Sequence, residues 1–394
     1  MTVTAAPADP SVVGGTRGFL PAVEGLRACA AIGVVVTHVA FQTGQSGGVV
    51  GRVLGRFDLA VAVFFALSGF LLWRGHAAAA RGRRSRPTTG HYLRSRVVRI
   101  MPGYLVAVVV IMTLLPDVNA DFTVWLANLT LTQIYVPLTL TSGLTQMWSL
   151  SVEMSFYLAL PLLALLARRL PVRARIPAIV VVAAASLFWV RIPFDPDSGH
   201  NLWNWPPAFF SWFAAGMVLA ELTVGPVGWA HRLARRRVLM AVLAVTAFLI
   251  AASPLAGREG LHPGSVGQVT LKTAMGAVVA GALLAPLVLD RIDTPHRILG
   301  SPVMVTLGRW SYGLFVWHLA ALAMVFPIIG AFPFNGHFTV VLVLTVLFGF
   351  AIAALSYALV ESPCRNALRR WERRNHPTPL DSSVSDEIEP ARAR

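Results

Sequence analysis

The chain has 394 residues, of which 56% are hydrophobic and only 13% charged. That balance excludes a soluble globular domain, which carries far more charge, and the apolar runs are too long and continuous for strands. A formal charge of +15 invites a nucleic-acid reading, which the placement of the arginines along the chain argues against.

Ten apolar spans are predicted, near 20–42, 57–75, 97–115, 147–168, 177–194, 206–222, 238–254, 269–289, 309–329 and 338–360. The expected fold is all-α, a polytopic membrane protein. Residues 1–18 are small and polar and read as a disordered cytoplasmic tail. The first apolar run is too long for the core of a secretory signal and reads as an uncleaved anchor. With the N-terminus inside, most basic residues fall on one side: Arg81, Arg83, Arg84 and Arg86 in the second loop, Arg173 and Arg175 in the fourth, Arg232, Arg235 and Arg236 in the sixth, and Arg369, Arg370, Arg373 and Arg374 near the end. This is the positive-inside bias, which puts both termini in the cytoplasm and predicts anionic lipid, not nucleic acid, as the partner of the basic surface. Arginine far outnumbers lysine, with abundant alanine, which points to GC-rich coding and a bacterial cell membrane. Cys29 and Cys364 offer neither a disulfide framework nor a metal spacing. Residues 364–394 turn from Arg-rich to acidic and Ser/Pro-containing, and are expected to form a disordered cytoplasmic tail.

Several spans carry groups that hydrocarbon normally excludes. In the first, Arg27 and His38 are eleven residues apart, almost three helical turns, so they share a face roughly 16 Å apart along the axis. Glu24, one turn before Arg27, allows a plain structural ion pair instead. In the second, Ser68-Gly69 suits either close helix packing or room for a ligand chain. At the start of the third, Arg96 and Arg99 form a donor pair at i, i+3, suited to a phosphorylated cytoplasmic ligand as well as to simple anchoring. The long outer connection near 116–146 is too polar to span and reads as a re-entrant or capping segment. It leads into Trp148, Ser149 and Glu153 of the fourth span. Helix rise puts Glu153 about 9 Å below the outer surface and His38 about 6 Å below it, so a carboxylate and an imidazole are expected at similar depth. The ninth span carries Arg309, then Ser311 and His318 on nearly one face. The last ends at Glu361-Ser-Pro363.

Taken in order, these elements resemble the membrane acyltransferase 3 family. The resemblance rests on Arg27 with His38, on Phe-Phe-x-Leu-Ser-Gly-Phe at 64–70, on Arg-x-x-Arg-Ile-x-Pro-x-Tyr at 96–104, on Trp-Ser-Leu-x-x-Glu-x-x-Phe-Tyr at 148–157, on Ser-Tyr-x-x-x-x-x-His at 311–318, and on Glu-x-Pro at 361–363. Nearly the whole chain is covered, with a membrane domain over 19–363. The resemblance implies a ten-helix domain that moves an acyl group, often acetyl, from a coenzyme A thioester to a hydroxyl of a carbohydrate, glycolipid or macrolide-type acceptor. It implies acyl-CoA as donor substrate and no permanently bound cofactor. Some members carry an appended esterase-like domain, which is not expected here.

On this reading His38 is the expected general base, oriented by Glu153. Arg96, Arg99 and Arg309 are expected to hold the phosphorylated end of the donor on the inner side, with Arg27 further along its arm. Ser68, Trp148, Ser149, Ser311 and His318 complete the expected substrate contacts. Direct transfer is expected over a covalent intermediate on Ser68 or Ser149. A transporter or flippase for a glycan or lipid, which also buries charge near mid-membrane, is the alternative class; a membrane scaffold is a third.

Overall fold

The computed structural model describes residues 20–115, 120–193, 199, 201–257, 264–290 and 296–375. The tail at 1–18 and residues 376–394 lie outside them. The described residues are helical, with no strand among them, as a hydrocarbon environment demands. Each expected span has a helix: α1 (Pro21–Gln42), α3 (Ala60–Ala80), α4 (Thr89–Leu114), α6 (Trp148–Arg168), α7 (Val172–Ser186), α8 (Phe210–Thr223), α10 (Arg237–Ala252), α11 (Val266–Val288), α12 (Pro302–Ile329) and α13 (Phe338–Ser356). Shorter helices α2 (Gly48–Gly55), α5 (Phe122–Leu129) and α9 (Trp229–Arg235) lie in the connections. Eight helical segments are long and apolar enough to cross a membrane. The exceptions are α10, apolar but 16 residues long, and α8, with 14. At 1.5 Å per residue these reach roughly 21–24 Å, short of a hydrocarbon layer of about 30 Å.

The helix ends follow local chemistry. Ser301 caps α12 by accepting from Met304 N at 3.3 Å, with Pro302 in the first turn. The helix stops at Gly330, whose φ of 66° is the left-handed conformation that glycine tolerates. α11 opens on a reciprocal cap between Ser265 and Gln268.

Two seams organise the bundle. In the first, α3 packs on α8 so closely that a Cβ at Gly216 would overlap the Ala66 carbonyl. In the second, α1 packs on α12, where a Cβ at Gly308 would overlap the Glu24 carbonyl. Small residues permit such backbone approach, which drives association in lipid. The outer end of α1 is further tied to the α12–α13 connection: Phe334 N donates to Gln42 O at 2.6 Å, and Gly336 N to Thr43 O at 3.1 Å. On the arginine-rich side, fully buried Glu221 of α8 accepts from Trp73 of α3 (2.9 Å), from Arg81 just past its end (2.5 Å) and from Arg175 of α7 (3.3 Å).

The capping expectation for the outer connection fits the structure. There Tyr104 of α4 donates to the Asn128 carbonyl, Asn128 Nδ2 donates to Thr139 O at 2.8 Å, and Trp205 reaches Ile134 O at 3.1 Å. The tail departs from expectation. Its first part, with the end of the last span, is helix α14 (Ser362–Asn375), entered through a π-helical turn at Tyr357–Glu361. Arginines alone would keep this segment in water, but Trp371 lies under the Arg94 guanidinium at 4.7 Å and Glu372 meets His91 at 2.9 Å. Those contacts dock the helix on α4.

Candidate active site

Most of the polar residues singled out from sequence fall around two cavities. The smaller, about 60 Å³, lies toward the arginine-rich side. α1 contributes Arg27, α3 Ser68, α4 Arg96 and Arg99, α6 Ser149, Glu153 and Tyr157, and α12 Tyr312. Helical spacing explains the local cluster: Glu153 and Tyr157 are one turn apart, and the Tyr157 hydroxyl donates to Glu153 Oε1 at 2.5 Å. Ser68 Oγ donates to the same oxygen and stands 3.3 Å from the Tyr157 hydroxyl. Tyr92 fixes this stretch of α6 by donating to Tyr157 O at 3.1 Å, and Tyr312 donates to Ile100 O at 2.7 Å. Arg27 Nη1 is 3.8 Å from Glu24, so the ion pair expected from spacing forms. Its Nε, however, is buried without a hydrogen-bond partner among the described residues. Three guanidinium groups thus share one small apolar-walled pocket with one carboxylate.

The larger cavity, about 1270 Å³, lies on the opposite side and is lined by His38 and Trp148. Trp203 and Trp212 supply flat apolar walls, Asn201 and Asn204 amides, and Asp58 with Lys272 an ion pair. Val61 lines both cavities. On the inner cavity's wall Phe64 and Phe315 meet edge to face at 6.1 Å, and the Phe315 and His318 ring centres are 5.9 Å apart.

His38 is paired with His318 of α12, not with Glu153. Its Nδ1 lies 2.8 Å from Val34 O and 3.3 Å from His318 Nε2. His318 Nδ1 in turn lies 2.7 Å from Phe315 O. A carbonyl only accepts, so both Nδ1 atoms carry the proton. His318 Nε2 is then an acceptor facing the His38 Nδ1–H, and His38 Nε2 is left unprotonated on a ring that lines the outer cavity.

Of the residues expected at the site, Arg27, Ser68, Arg96, Arg99, Ser149 and Glu153 converge on the inner cavity. His38 and Trp148 line the outer one, with His318 behind His38. The expected His38–Glu153 pair does not form, because Glu153 turns toward α3 while His38 turns toward α12. Arg309 is exposed and lines neither cavity, since it sits in the first turns of α12 on a face away from the bundle. Ser311 lines neither cavity and is spent on its own helix, donating to Gly308 O at 2.7 Å. Tyr157 and Tyr312 were noted only as members of the 148–157 and 311–318 elements and were not expected at the site, although Tyr157 falls one turn from Glu153 and could have been placed there by that spacing.

A family model described as an acyltransferase domain matches residues 20–356, most of the chain. The chain belongs to the acyltransferase 3 family. It is a multi-pass membrane O-acyltransferase. Relatives of this acyltransferase include the acyltransferase MdmB of Streptomyces mycarofaciens, 29% identical over 382 residues, 89% of this chain and 93% of that protein. The peptidoglycan O-acetyltransferase OatA of Listeria monocytogenes is 23% identical, matching 89% of this chain but 56% of its own length. The O-acetyltransferase OatA of Staphylococcus aureus is 22% identical over 88% of this chain and 57% of its own. The chain therefore spans little more than half the length of the two OatA proteins. No solved structure matches it.

Proposed function

We propose that this acyltransferase moves an acyl group, acetyl in the simplest case, from acyl-CoA to a hydroxyl of a carbohydrate, glycolipid or macrolide-type acceptor. The observation that carries the reading is the pair of cavities with opposite chemistry in one bundle. Arg27, Arg96 and Arg99 suit the phosphates and thioester of a donor entering from the arginine-rich, cytoplasmic side. The outer cavity suits a bulky acceptor, with aromatic walls for ring faces and amides and an ion pair for hydroxyls.

His38 serves as general base. Its free Nε2 removes the proton of the acceptor hydroxyl as that oxygen attacks the acyl carbon, and His318 holds the ring in this tautomer. The relatives named O-acetyltransferase support acetyl as the group and oxygen as its destination.

The test compares extracted glycans, lipids and secondary metabolites by mass spectrometry with and without the gene, then repeats the comparison with His38→Ala. A mass gain of one acyl group that needs both the gene and His38 supports the proposal. Movement of an unmodified solute across liposomes, with no acylated product in any extract, would instead identify a transporter.

A further inference from the structure

We propose that Ser68 carries the acyl group as a covalent ester between donor and acceptor, with Glu153 as its base. The proposal rests on acyl-CoA being the donor, and it follows from three features of the inner cavity.

The first is the hydrogen-bond pattern. A serine hydroxyl becomes a nucleophile when an adjacent base can take its proton and a further group holds that base in place. Ser68 Oγ donates to Glu153 Oε1, and Tyr157 donates to the same oxygen at 2.5 Å. The carboxylate that sequence assigned to His38 is therefore engaged with a serine. The second is an electrophilic partner. Arg27 lines the same pocket, and its Nε is buried with no hydrogen-bond partner among the described residues. A buried donor left unmade is costly, and an oxyanion formed at the thioester carbonyl would satisfy it. The third is the partition. His38 and Ser68 line different cavities, whose linings share Val61. A covalent carrier removes the need for donor and acceptor to occupy the site together, so the coenzyme can leave before the acceptor oxygen reaches the ester.

The steps balance as follows. Ser68 Oγ bonds to the thioester carbonyl carbon as its proton passes to Glu153. The C–S bond breaks, and coenzyme A departs as a thiolate that takes a proton from solvent on the cytoplasmic side. The acceptor oxygen then bonds to the ester carbon as its proton passes to His38 Nε2. The C–O bond to Ser68 breaks, and the Ser68 oxygen recovers the proton held by Glu153. His38 releases its proton to solvent in the outer cavity. One proton is taken up and one given up, and every side chain is restored.

The test needs no acceptor. Purified full-length protein in nanodiscs is incubated with acetyl-CoA and isotopically labelled coenzyme A, and quenched samples are analysed by intact and peptide mass spectrometry. Tryptophan-fluorescence titration with acetyl-CoA serves as the folding and binding check for every variant. The expected result is exchange of label between coenzyme A and acetyl-CoA, with one acetyl group on Ser68. Ser68→Ala should bind acetyl-CoA yet lose both exchange and label. Ser68→Cys should keep exchange, through a thioester cleaved by hydroxylamine. His38→Ala should keep the label and lose only delivery to an acceptor. Wild-type protein that binds acetyl-CoA but shows neither label nor exchange would overturn the Ser68 carrier while leaving the acyltransferase reading intact, as would a label that persists in Ser68→Ala. Failure of the wild type to bind acetyl-CoA would overturn the donor assignment, and this proposal with it.

Discussion

The histidine pair makes a quantitative prediction, because its two members have unequal duties. His38 has the free Nε2 on the outer cavity, whereas His318 is wholly buried and serves only to accept from His38 Nδ1–H. Removing the base with His38→Ala should cost the full contribution of general-base catalysis, roughly 10²- to 10⁴-fold in kcat. Removing the support with His318→Ala deletes one neutral hydrogen bond, and Val34 O remains at 2.8 Å to hold the same tautomer. One such bond is worth about 0.5–1.5 kcal/mol, so kcat should fall only about 2- to 10-fold. The buried void left in α12 should lower thermal stability as well, which His38→Ala should disturb less. The assay is the initial rate of labelled acetyl transfer from acetyl-CoA to the identified acceptor, in proteoliposomes, with melting followed in parallel. The reasoning is refuted if His38→Ala retains the wild-type rate. It is also refuted if a folded His318→Ala is as slow as His38→Ala, for then the assignment of the base is reversed.

Charge reversal with Arg99→Glu should raise the apparent KM for acetyl-CoA at least tenfold and change kcat less; an unchanged KM removes Arg99 from the donor site. Glu221→Gln leaves the Arg81 and Arg175 guanidinium groups without their carboxylate, at a cost of about 3–5 kcal/mol, to be read as a lower melting temperature in detergent. Gly216→Ala forces a methyl against the Ala66 carbonyl. Overpacking of this kind costs about 1–3 kcal/mol, and reduced yield and melting temperature are expected; wild-type stability would mean that the α3–α8 seam is looser than described.

Eight of the ten expected spans were legible in sequence because length and apolarity decide what can cross hydrocarbon; α8 and α10 have helices at the expected places but fall short of that length. Much of the inner cavity was legible too: Arg27, Ser68, Arg96, Arg99, Ser149 and Glu153 were each singled out, and the fold brings them to one place. What sequence could not supply was direction around each helix axis. Helix rise gave Glu153 and His38 a common depth, but depth is one coordinate, and packing turned one toward Ser68 and the other toward His318. The same ambiguity misplaced Arg309, whose charge suited a phosphate but whose face points out of the bundle. The helical start of the tail was missed because its contacts, Arg94 on Trp371 and His91 with Glu372, join residues far apart in the chain.

The tying of α1 to α12, by close backbone packing at Gly308 and by the clasp of Phe334 and Gly336 at the outer end, separates what must stay constant from what can vary. Both imidazoles ride on that one rigid block. Much of the opposite wall of the outer chamber, including Asn201, Trp203, Asn204, Gly257 and Gly264, comes from connections between helices, where backbone tolerates insertion and replacement. On the proposed mechanism, a new recipient molecule can therefore be accommodated by rewriting those connections, without moving the nitrogen proposed to deprotonate it.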